Sequence, residues 1–308
     1  MSNTKYEKLF YHALRIRLIE EKIIELYPSD KIQSPVHLSI GQEAVAVGVC
    51  ANLKIDDWIF INNRSHAYYL AKGGPLPEFF AELYGRRTGL CKGKAGSMHF
   101  AAPQCGVMGA SAVVASTISH AVGAALASKI RDENRVFVAV FGDGATEQGV
   151  YHESLNFAAL HDLPVLFLCE NNGLAVHATI SERQSYSITK HANAYGLHSV
   201  IIEEGYDIVK INEVANEVVS KIRKTNQPVV MEVKTCRYKE HVGTGEDFHA
   251  GYRSADEVDK WKSLDPLIKD FELIKKFTPK IKSEIEDAVR FAEESPFPQL
   301  CDLLTDVN

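Results

Sequence analysis

Apolar residues recur at helical spacing through residues 5–26, at Ile16, Ile19, Ile23 and Leu26, and Pro28 ends the stretch. From Ser34 to Gly109 this periodicity gives way to loop-rich text carrying His37, Gly41, Arg64, His66, Gly73, Gly74, Gly93, Gly96 and His99. Such a mixture of Gly, His and Arg suits ligand-contacting loops better than packing. Residues 117–130 then read as an Ala-rich helix able to lie close against a sheet.

The centre of the chain has the clearest pattern. Residues 136–141 and 164–169 are short uninterrupted apolar runs, the signature of strands buried on both faces. Gly142-Asp143-Gly144 stops the first run and Asn171-Asn172-Gly173 stops the second. Between them, residues 146–161 show helical periodicity through Val150, Leu155, Phe157 and Leu160. This is a βαβ unit, so the two strands are expected to be parallel and to end on one edge of the sheet. Further strands are expected at 199–202 and 228–233, with a helix at 212–224 between them. A charged helical tail follows from Ala255, interrupted at Pro266, Pro279 and Pro296. No repeat, low-complexity segment or linker divides residues 1–308. One α/β domain is expected, with a mostly parallel central sheet and helices on both faces.

Composition narrows the class without naming a function. The chain of 308 residues is 45% hydrophobic and 24% charged with a net charge of −6, which excludes wholesale disorder. The mildly acidic balance leaves no footprint for nucleic acid. A membrane span needs about 18 uninterrupted apolar residues. The most sustained candidate, 110–128, is broken by Ser111, Ser116, Thr117, Ser119 and His120. Residues 1–8 lack the plan of a signal peptide, and the six cysteines contain no Cys-x-x-Cys pair. Reduced thiols, no structural zinc and a cytoplasmic location are therefore expected.

In open parallel sheets, ligands bind beyond the carboxyl ends of the strands. Here those ends carry Asp143, a hard carboxylate, and Asn172, a neutral carbonyl oxygen, with 26 residues between the two motifs. That pair favours Mg²⁺ or Ca²⁺ bridging to a diphosphate near a helix N-terminus. Gly142 and Gly144 would let the backbone approach phosphate oxygens. Gly-Asp-Gly alone is more often a simple turn. Its spacing from Asn171-Asn172 on a parallel strand reverses those odds.

Gly142-Asp143-Gly144 followed by Asn171-Asn172 resembles the thiamine-diphosphate-binding motif. Gly41-Gln42-Glu43-Ala44, Arg64-Ser65-His66, the segment from Gly93 to His99, that from Gly142 to Gly149, Glu170-Asn171-Asn172 and Tyr252-Arg253 occur in a telling order. They are similar to the alpha subunit of the decarboxylating component of 2-oxo-acid dehydrogenases, including acetoin dehydrogenase. The resemblance runs from about residue 5 to Asp265-Pro266. It implies that Asp143, Asn172 and the backbone oxygen of Leu174 ligate Mg²⁺. Arg64 would hold the terminal phosphate, and Gly144 and Ala145 would contact the diphosphate through their backbone. Val114 matches the apolar wedge that bends thiamine diphosphate. His37 and His241 match active-site histidines, with His66 a weaker candidate. Glu43 is read as structural and His99 as loop architecture.

The implied activity is cleavage of a C–C bond beside a carbonyl in a 2-oxo acid or acetoin, with acyl transfer to a lipoyl carrier. In this family the glutamate that contacts the cofactor's aminopyrimidine comes from a separate pyrimidine-binding domain. The resemblance therefore implies a beta subunit, an α2β2 heterotetramer and, for the dehydrogenase reading, a lipoyl acyltransferase. Two alternatives stay open: a non-oxidative carboligase or transketolase-like subunit making an unusual sugar or secondary metabolite, and a non-catalytic cofactor-binding subunit. Departures from the family pattern gather at the mouth of the site. Asn63 stands where a tyrosine commonly precedes the phosphate-binding Arg, Leu174 replaces another tyrosine, and Ala112 replaces a glycine. Val242 stands where mitochondrial members carry a phosphorylated serine, so that regulation is expected to be missing. The glycine-rich stretch from Gly243 to Gly251 is expected to order only when cofactor binds.

Overall fold

The computed structural model describes residues 3–305. The ends of the expected 1–308 domain, Met1, Ser2 and residues 306–308, lie outside it, as does the start of the stretch read for a targeting signal. Helix α1 (Asn3–Leu26) buries Ile16, Ile19 and Ile23 and is followed by a short 3-10 turn that includes Pro28. Where the sequence reads as loop, the structure has α2 (Glu43–Cys50), β1 (Trp58–Ile61), α3 (His66–Ala71), α4 (Leu76–Leu83) and β2 (Val107–Ala110). These elements have four to eight residues each, too few to complete a recognisable period. Their order comes from packing.

Next come α5 (Ser116–Ile130), β3 (Phe137–Gly142), α6 (Gly149–Leu160) and β4 (Val165–Asn171). The helix expected from residue 146 starts later, because Asp143–Glu147 forms a 3-10 turn and Gln148 is extended. A two-stranded hairpin, β5 (Leu174–Ala175) and β6 (Ala178–Thr179), leads into α7 (Ile180–Arg183) and α8 (Ile188–Ala194). The chain continues through β7 (His198–Ile202), α9 (Ile208–Thr225), β8 (Val229–Lys234), α10 (Ala255–Lys262), α11 (Pro266–Lys269) and α12 (Phe271–Glu294). Pro279 lies inside α12 and does not interrupt it. The lost backbone bond costs about 3 kcal/mol. The apolar face of Ile281, Ile285, Ala288 and Ala292, all buried, offsets that cost.

The main sheet has the order β2-β1-β3-β4-β8-β7, and every pairing in it is parallel. Alternation along β3 explains its apolar run. Val138 and Val140 enter the core on one face, whereas Phe137, Ala139 and Phe141 enter the core on the other. The first core holds α1, α2, α9 and α12, and the second is closed by α5, α6 and α8. No helix among the described residues is long and apolar enough to cross a membrane.

Candidate functional site

Register brings the two central motifs together. Phe141 pairs with Cys169 and Gly142 with Glu170, so Asp143 and Asn172 leave adjacent parallel strands at the same edge. A cavity of about 360 Å³ opens there. His37, Asn63, Arg64, Ala112, Val114, Asp143, Gly144, Ala145, Asn172, Leu174 and His241 all line it. Only His66 among the candidates does not. It is fully buried, its Nδ1 lies 3.2 Å from Glu20 and its Nε2 lies 2.7 Å from the Ser97 hydroxyl. Phe79 packs edge-on against its ring. His66 thus braces α1, α3 and the loop of Ser97, and its place in the catalytic set is corrected to a core position.

At the floor, Asp143 is almost wholly buried, and burial raises its carboxyl pKa against the opposing pull of Arg183. Asn172 Oδ1 accepts from the Leu174 amide at 3.1 Å, which fixes the direction of its side chain. A carboxylate beside an amide oxygen and a backbone oxygen is a hard-donor set suited to Mg²⁺ completed by ligand oxygens. Gly144 matters for the protein's own packing as well. A Cβ at that position would come within 2.8 Å of the Ala175 Cβ, so β5 can cross here only above a glycine.

Arg64 lines the same cavity. It is 5% exposed and donates to the carbonyl oxygens of Leu38 and His241, and among the described residues it forms no ion pair. Burial, reinforced by Arg237, lowers its pKa to about 10. A buried guanidinium without a carboxylate is costly unless an anion completes it. Its planar donor fork matches phosphate oxygens. The residues present therefore fit a Mg²⁺–diphosphate group on two independent counts, one cationic and one hard-anionic.

At the mouth, Val114 is 59% exposed on a surface of the cavity, a poor place for an aliphatic side chain without an apolar partner. His37 is 7% exposed and its Nδ1 has no hydrogen-bond partner among the described residues. The loop bearing His241 is fixed by Asp247, which accepts from Arg253 Nε at 2.7 Å and from Arg237 at 3.2 Å. The stretch from Gly243 to Gly251 contains a 3-10 turn at Phe248–Ala250.

Among the cavity residues to which the sequence reading gave no role, three stand out. Glu170, at the end of β4, is buried, and that burial pushes its carboxyl up to about 7. Gln42 approaches Asn172 at 3.4 Å, and Glu147 lies on the 3-10 turn after Asp143. All three stand inside the quoted motifs, so proximity in sequence was an available signal. Arg183 was not. It reaches Asp143 from the far side of a hairpin, which spacing does not reveal. Glu43 meets its structural expectation, binding Arg17 and the Gly41 amide.

The profile of the family described as "Dehydrogenase E1 component" matches residues 11–301. The alpha subunit of acetoin:2,6-dichlorophenolindophenol oxidoreductase from Bacillus subtilis (strain 168) is 39% identical over 311 residues, covering 97% of this chain and 92% of that one. The pyruvate dehydrogenase E1 component subunit alpha of Rhizobium meliloti (strain 1021) is 34% identical, covering 97% of this chain and 89% of that one. The acetoin oxidoreductase alpha subunit of Cupriavidus necator is also 34% identical, covering 96% and 92%.

Proposed function

The chain belongs to the dehydrogenase E1 component family, and from that premise we propose that it is the alpha subunit of a thiamine-diphosphate-dependent 2-oxo-acid or acetoin dehydrogenase. The observation that carries this reading is Arg64, a buried cation without an ion-pair partner among the described residues, lining the same cavity as Asp143 and Asn172. Bound thiamine diphosphate supplies the electron sink needed to cleave a C–C bond beside a carbonyl.

The chain's own residues bind and orient. Asp143, Asn172 and the Leu174 backbone oxygen would hold Mg²⁺; Arg64 and the Gly144 and Ala145 amides would hold the diphosphate. Val114, exposed in the cavity, would give the thiamine an apolar surface to rest on. Burial together with Arg64 lowers His37 to about 3, and burial with Arg64 lowers His241 to about 4. Both are neutral at physiological pH, so each offers one N–H to a substrate oxygen and one lone pair.

A beta subunit completes the site from outside this chain, in an α2β2 assembly that passes its acyl group to a lipoyl acyltransferase. Co-expression with a beta-type subunit, followed by a panel of 2-oxo acids and acetoin with an artificial electron acceptor, tests the reading. Turnover is expected from the pair and not from the single chain. Robust turnover by the single chain would refute the two-chain site, and unchanged cofactor binding in Asp143→Ala would refute the cation assignment.

A further inference from the structure

Arg183 occupies the proposed cation site from the protein's own side. Its guanidinium lies 2.5 Å from Asp143 Oδ2, also binds Glu147 Oε1, and anchors through Nε to the Ala178 carbonyl at 3.1 Å. The Arg183 side chain is 11% exposed and that of Asp143 1%, so their contact is shielded from water, whereas Glu147 stands nearer the solvent. Its segment is tied to the same 3-10 turn that carries both carboxylates. Tyr186 donates to the Thr146 carbonyl at 2.6 Å, and Thr146 Oγ1 donates to Gln184 at 3.0 Å. One guanidinium therefore spans two carboxylates, of which only Asp143 is a ligand in the proposed site.

A divalent ion on Asp143 would stand against that guanidinium, and like charges a few ångströms apart in a shielded site repel strongly. Glu147 offers the release. Arg183 can give up its bond to Asp143 while keeping those to Glu147 and Ala178, without leaving its place. The charges then pair off in both states. Asp143 is matched by Arg183 before the ion arrives and by the ion afterwards, and Glu147 retains the guanidinium throughout.

We propose that Arg183 is the internal counter-ion of the Asp143 site, transferring wholly to Glu147 when a divalent cation loads. It competes with the cation for Asp143 and so sets the cation affinity through the share of its charge that Glu147 takes. The proposal rests on the Mg²⁺–diphosphate reading above.

The test measures Mn²⁺ binding by the loss of its free electron-paramagnetic-resonance signal. It uses the full chain co-purified with a beta-type subunit, with thiamine diphosphate present. Removing the competitor in Arg183→Gln is expected to tighten Mn²⁺ binding about tenfold. Removing the alternative partner in Glu147→Gln is expected to weaken it by a similar factor, because the guanidinium then stays on Asp143. Arg183→Lys, which keeps the charge, is expected to bind more weakly than Arg183→Gln. A purely structural role would move the Gln variants in the same direction. That result, no change in either, or equal affinity in Arg183→Lys and Arg183→Gln would overturn the proposal. If the unmodified pair binds no Mn²⁺, the underlying site assignment falls instead.

Discussion

His37 and His241 meet edge to face with ring centroids 5.0 Å apart and an interplanar angle of 82°. Their loops are joined by a bridge between His37 and Gly243, whose amide donates to the Val36 carbonyl at 2.8 Å. Arg64 and Arg237 add positive charge around both rings, and together with burial this keeps the imidazoles neutral. Segments far apart in the chain thereby form one donor pair at the mouth of the cavity.

That pairing makes stability sensitive to acid. An unperturbed histidine titrates near pH 6.5, whereas His37 and His241 are held at about 3 and about 4 in the folded chain. Between those values the unfolded chain binds more protons, so stability rises with pH across this window. The contribution is fully present above about pH 6.5 and is lost progressively as pH falls, down to about 4 for His241 and about 3 for His37. His37→Gln should therefore lose less Tm than the unmodified protein between neutral pH and pH 5. An equal loss in thermal scans would contradict the assignment.

Gly144→Ala tests the crossing of β5. The new Cβ would press on Ala175, and the resulting shift should move Leu174 and Asn172 with the hairpin. Calorimetry is expected to show Mg²⁺–thiamine diphosphate binding weakened by about tenfold, with a stability loss of about 1–3 kcal/mol. The double variant with Ala175→Gly should recover much of both, because the two sites share one contact. Absence of recovery would place the effect elsewhere.

Val114→Ala separates function from stability. A side chain 59% exposed contributes little to the core, so a change of less than about 0.5 kcal/mol is expected on denaturant unfolding. Turnover with the beta-type partner should fall if Val114 supports the bound thiamine. Full activity in this variant would remove it from the site.

A buried ion network ties α1 to the site's outer frame. Arg17 binds Glu43 and, at 2.9 Å, Asp265, which also accepts from Tyr238 at 3.1 Å. Breaking one partner leaves uncompensated buried carboxylates, so Arg17→Ala should destabilise the chain by about 3–5 kcal/mol. Urea unfolding measures this, and a loss below 1 kcal/mol would show the network to be dispensable.

The pattern of residues was sufficient where it was long or chemically unusual. The runs ending at Gly142 and Asn171 specified adjacent buried strands, because continuous apolar segments bounded by turn residues have few other uses. Those strand ends in turn placed Asp143 and Asn172 on one edge. β1 and β2 escaped notice because four residues carry no reliable period. Pro279 misled, since a local breaker was outweighed by burial along α12. His66 misled in the opposite way, for its neighbour Arg64 lies in the cavity while its own ring turns into the core.

By itself, then, the sequence determined the fold class and the two halves of the candidate ion site, both written in local runs and fixed spacings. Tertiary structure alone decided which polar groups face one another. It set His37 against His241, left Arg64 without an ion-pair partner among the described residues and laid Arg183 across Asp143 and Glu147. Those relationships depend on where loops land once strands and helices have packed, and no local periodicity encodes the meeting point of distant loops.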